Sequence, residues 1–95
     1  MMPPIPAVIM LPTETAHGYW PANVVAAIPL GHGNVYAVTV IDPKSSPDAP
    51  RFLAAEVGRS IHGFWVADET FPSDTLADAI GDMASLAGGT YPRLL

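Results

Sequence analysis

Each of the three histidines in this 95-residue chain, His17, His32 and His62, is followed directly by glycine. Two of them belong to nearly the same word, TAHGYWPAN at 15–23 and SIHGFWVAD at 60–68, and these two stretches hold both tryptophans. Three histidines are the protein ligands of one kind of catalytic zinc site, with a fourth position left to water. Here the histidines are 15 and 30 residues apart (17 to 32, 32 to 62), which gives none of the local chelate spacing of two histidines one helical turn apart. Unrelated histidines are the simpler account, and neither a metal nor a cofactor is expected.

The two stretches align without gaps at His, Gly, Trp and Ala, with Ser for Thr, Phe for Tyr and Asp for Asn. Beyond these nine positions the likeness ends, since VVAAIPL would face ETFPSDT. The resemblance is therefore a local motif and not a duplicated unit, and a repeat fold needs more copies than two. In an extended segment, His shares a face with Tyr19 or Phe64, and Gly shares the other with Trp. A glycine beside an indole leaves room for the ring to lie over the backbone. Trp65, inside the apolar run FWVA, reads as core. Trp20, between Gly18 and Pro21, either plugs an open end of the sheet or anchors a partner, Tyr and Trp being enriched at binding hot spots.

Other catalytic arrangements are thin. No serine sits on a strand–turn–helix elbow, and GHGN at 31–34 lacks the spacing and following helix of a phosphate-binding loop. Glu56 with Asp68, or Asp68 with Glu69, come nearest to a pair of carboxylates. The second pair is adjacent in sequence and points to opposite faces of a strand.

Composition narrows the classes further. The chain is 49% hydrophobic and 14% charged, against about 25% charged in an average soluble domain. So little charge suggests a surface partly covered by something else. The net charge is −5, and the four basic residues, Lys44, Arg51, Arg59 and Arg93, are scattered. Nucleic acid, which requires a basic patch to neutralise phosphates, is excluded as a partner. There is no cysteine, hence no disulfide framework and no thiolate site. The start, MMPPIPAVIMLP, is apolar but lacks a basic n-region and is broken by prolines. It reads as neither a signal peptide nor a membrane span, and the expected location is the cytoplasm, or a virion for a phage protein.

The elements that would carry these residues follow from punctuation. Residues 1–6 form an extended apolar arm, since proline removes donors and restricts its predecessor. Residues 7–95 form a single domain. A short strand spans 7–11, and 12–23 reads as a loop. Runs 24–30 and 35–42 flank GHGN as one hairpin, and 51–58 with 61–68 form a second, turning at 58–60. The stretch PSDTLADAIGDMASLAGG is a helix with Leu76, Ile80, Met83 and Ala87 on its buried stripe and Ser73 as N-cap. The class is α+β: four to five antiparallel strands, two hairpins plus an N-terminal strand, with one C-terminal helix on a face. One helix covers one face, yet the strands are apolar on both, so a second molecule is expected to cover the other.

The expected function is a non-enzymatic assembly protein, of phage or mobile-element origin, that self-associates and engages a neighbour through its sheet and arm. Ala7, Val8, Ile9, Met10 and Leu11 would add to an exposed sheet edge, and His17, Tyr19 and Trp20 would meet a partner. Two alternatives belong to other classes. One is a small acidic regulator or inhibitor binding a host protein through HGYWP and the helix carboxylates Asp74, Asp78 and Asp82. The other is a small enzyme with a histidine-based site.

Overall fold

The computed structural model describes residues 5–12, 18–30 and 35–88. They form β1 (Val8–Pro12), β2 (Tyr19–Pro29), β3 (Val35–Ile41), β4 (Phe52–Arg59), β5 (Trp65–Ser73) and α1 (Leu76–Ala87). The class is α+β with a single helix, as the patterning implies. The sheet, however, closes into a barrel in the order β1-β2-β3-β4-β5. Consecutive strands are antiparallel, so the fifth ends up parallel to the first, and the two are joined at Met10 and Val66.

β2 begins at Tyr19, inside the stretch that the prolines mark as loop. Its first half pairs with β1, from Pro12 opposite Tyr19 to Val8 opposite Asn23. Its second half pairs with β3, from Val24 opposite Val40 to Pro29 opposite Tyr36, with a bulge between Val24 and Ala26. Pro21 is tolerated because this half is paired with β1 alone, so its missing N–H falls on an edge. The GHGN hairpin stands as read: Leu30 N–H donates to Val35 O across it at 3.1 Å. The second hairpin turns later than expected, at Ser60–Phe64, closed by Ser60 N–H to Phe64 O at 2.7 Å. Gly63 takes φ +84° there, a left-handed conformation that other residues adopt only at a cost.

β3 is the central strand, buried from Tyr36 to Val40. Alternation sends Tyr36, Val38 and Val40 into the barrel with Ile9, Leu11 and Val57. The opposite side presents Ala37, next to Ala54 and Phe71, to Met83 and Leu86 of α1. The two-sided apolarity that suggested a second molecule is thus met within the chain, by the barrel interior on one side and the helix on the other.

The helix differs from its sequence pattern in two respects. Its N-cap is Thr75, whose Oγ1 accepts from Asp78 N–H at 3.1 Å. Ser73 instead donates its hydroxyl to Asp82 Oδ2 at 3.1 Å. The buried face is Ala79, Met83 and Leu86, turned about 60° from the expected stripe, and Leu76 and Ile80 are 41% and 39% exposed. The cause lies underneath, where Ala37, Thr39 and Ala54 give the helix a shallow bed. Thr39 Oγ1 donates to Ala79 O at 3.4 Å and lies 3.5 Å from Met83 Sδ, so a small residue, Ala79, sits where the helix meets β3. Exposed Arg51 pairs with Asp74 at 3.1 Å, a contact of the kind that adds at most about 1 kcal/mol.

Because Ile9 is fully buried, Ile9→Ala is expected to cost about 2–5 kcal/mol of folding free energy. Val25→Ala, at an exposed bulge position, should stay within about 0.5 kcal/mol. Urea unfolding of both variants checks this, and a near-neutral Ile9→Ala would mean that β1 is a loose arm.

Candidate functional site

α1 rests on β2, β3, β4 and β5 but makes no contact with β1. The outward residues of β1, namely Val8, Met10 and Pro12, therefore have no helix above them. Their neighbours in register are Asn23, Pro21 and Tyr19 on β2 and Val66 on β5. None of these seven residues is charged, although the protein carries a net charge of −5.

The two histidine–glycine stretches meet on this bare face. The rings of Tyr19 and Phe64, 45 positions apart in sequence (19 and 64), pack edge to face with centroids 5.7 Å apart at 78°. Phe64 in turn stacks on His62 at 5.6 Å and 12°. β1 lies between β2 and β5 in the barrel, and Tyr19 is 51% exposed. The contact therefore passes over the outside of β1 and not through the core. The motif acts as a clasp across the seam that β1 and β5 share through one residue pair.

The tryptophans divide as their surroundings suggested. Trp65 is 8% exposed and meets Tyr36 edge-on inside the barrel at 5.4 Å. Trp20 is opposite Leu11 in register and alternates onto the side of buried Ala22, but it is 38% exposed. It stands at the barrel mouth with the Lys44 ammonium 5.5 Å from its ring centroid, a contact worth about 0.5–1 kcal/mol at an exposed site.

The N-terminal candidates divide as well. Ile9 and Leu11 are 0% and 5% exposed and belong to their own core, while Val8 is exposed and Met10 is half-buried. Ala7 O accepts from Val24 N–H at 2.8 Å, extending the β1–β2 pairing. The strand that was to add to a neighbour's sheet is thus a member of its own barrel. His17 and His32 lie outside the described residues. Among the described residues no group of three or more His, Asp or Glu side chains could hold a metal ion.

A shallow cleft of about 240 Å³ borders the bare face at Val66, with Glu56, Asp68 and Arg59 around Val35 and Gly58. A bulge after Glu56 sets that residue opposite Glu69 and leaves Asp68 without a counterpart on β4. Glu56 and Asp68 therefore share a cleft, Glu56 half-buried and Asp68 exposed. Sequence reasoning missed His62, Phe64 and Ile61 as surface residues; Ile61, at the turn, is 98% exposed. The signal that could have found them was the second copy of the motif, which implied a partner for the first.

A double-mutant cycle on Tyr19→Ala and Phe64→Ala, measured by chemical denaturation, should return a coupling of about 0.5–1.5 kcal/mol. Trp65→Ala should cost far more, about 3–5 kcal/mol. Zero coupling would mean that the clasp holds nothing.

No protein-family model matches the chain, and no curated protein or solved structure shows significant similarity to it.

Proposed function

We propose that the protein is a non-enzymatic assembly component that binds a second copy of itself through the bare face of its barrel. The observation that carries this is the uncharged strip of Val8, Met10, Pro12, Pro21, Tyr19 and Phe64, left open by the helix and extended by exposed Ile61. Contiguous apolar surface of this kind marks interaction sites on soluble proteins, and aromatic residues supply most of the energy at such sites. Charge supports self-association through this face. Each copy is acidic, with Asp74 and Asp78 exposed at the helix, so two copies repel least where neither presents a charge. A building-block role of this kind suits a particle of phage or mobile-element origin.

Light scattering on a sizing column across a range of concentrations is the test. A dimer or larger species is expected, and Ile61→Asp or Val8→Lys should weaken it at least tenfold, about 1.4 kcal/mol. Both positions are exposed, so neither change should disturb folding. A monomer at every concentration would overturn self-association and favour capture of a different protein, with Trp20 at the barrel mouth as the first residue to change.

A further inference from the structure

We infer that the self-association proposed above, on which this rests, is a two-fold contact whose axis runs parallel to β1, so that Lys44 of each copy enters the acidic cleft of the other.

The bare face has unlike flanks. On the β2 side stands Trp20, opposite Leu11 in register, with the ammonium of exposed Lys44 5.5 Å from its ring centroid. On the β5 side the cleft opens at Val66, the partner of Met10. Because β5 runs parallel to β1, Asp68 comes one residue above the level of Leu11. Lys44 and Asp68 thus lie at nearly the same height, one on each side of β1. Glu56 lines the cleft beside Asp68, and Glu69 stands opposite Glu56. Arg59 lines the other end, opposite Trp65. Like charges directly opposite on paired strands are destabilising, so a cation brought to this end from outside offsets a cost that the pairing of Glu56 with Glu69 sets.

Symmetry turns the unlike flanks into a fit. In a two-fold contact one patch serves both copies, and residue i meets j while j meets i. An axis lying across β1 would set each flank on its own kind, basic on basic and acid on acid. An axis parallel to β1 exchanges the flanks and keeps the height, so each lysine faces the other copy's carboxylates, twice in one contact. The same axis matches exposed apolar residues. Val25, 45% exposed, follows Asn23, the partner of Val8, by two residues. Continuing the Met10–Val66 register sets Phe64 level with Val8, and Ile61, 98% exposed, precedes Phe64 by three residues. Both lie past the N-terminal end of β1 on opposite flanks, and the exchange brings each isoleucine toward the other copy's valine. Opposite charges around an apolar contact fix its register.

Charge reversal tests the arrangement. Lys44 and Asp68 are both exposed. Lys44→Glu and Asp68→Lys are compared with the wild type by sedimentation equilibrium, with thermal unfolding followed by circular dichroism as the check on folding. Each single variant is expected to weaken association at least about tenfold, because like charges then meet at both symmetric contacts. An equimolar mixture of the two should associate to within about threefold of the wild type. In the mixed pair one contact is restored in reversed form and the other is native. Single variants that associate like the wild type overturn the two-fold arrangement and leave self-association standing, as does a mixture that stays monomeric. A wild type that is monomeric at every concentration overturns both. Should Asp68→Lys not fold, Lys44→Glu carries the test alone. A loss that added salt recovers supports the arrangement, and unweakened association, or a loss that salt leaves unchanged, refutes it.

Discussion

An odd number of strands cannot close an antiparallel meander without one parallel seam, and the rest of this structure is arranged around that constraint. β1 and β5 run the same way and share one residue pair. Closure therefore depends on side chains more than on backbone hydrogen bonds. Ile9 and Leu11 hold β1 from within, and the ring of Tyr19 meets that of Phe64 above it. The repeated histidine–glycine–aromatic–tryptophan word supplies both sides of that clasp. It also supplies Trp65 for the interior and Trp20 for the mouth. Its recurrence places one aromatic ring at each of the two strands that flank β1.

The helix obeys a second constraint, bulk. The outer surface of β3 and β4 is built from Ala37, Thr39 and Ala54, all fully buried. α1 therefore lies close to the barrel on Ala79, with Met83 and Leu86 beside it. A larger side chain at Ala37 or Ala54 would lift the helix and open the second core. Because one helix cannot cover all the outer faces of a barrel, the same packing that buries β3 on both sides leaves β1 uncovered. The bare face is the geometric remainder of the fold.

Much of this was legible in the residues. β-branched runs around GHGN marked one hairpin, apolar runs around a glycine-bearing turn marked another, and the helix announced itself by period. Three features escaped, each for a physical reason. Pro21 reads as a strand breaker, yet an edge position requires no N–H from it, so β2 extends back to Tyr19. Leu76 and Ile80 are the larger apolar residues of the helix, but the shallow bed beneath favours Ala79, and period alone cannot weigh what lies opposite. Barrel closure depends on strand curvature and tilt, which alternation does not encode. Apolarity on both sides of the strands therefore points, on pattern alone, to an outside molecule, whereas the chain supplies that cover for β3 itself. For the candidate surface, Tyr19 and Trp20 were visible from their types, while His62 and Phe64 required the knowledge that β1 sits between their strands.

The parallel seam also sets an order in time. Met10 leaves the ribosome 56 residues ahead of its only partner on β5, Val66 (66 − 10). At translation rates of about 5–20 residues per second, that delay is roughly 3–11 s. Throughout it, Ile9 and Leu11 have β2 to pair with but no barrel to enter, on a chain that has already finished its first hairpin. The topology thus makes the β1–β5 seam the last to close, however early β1 pairs with β2.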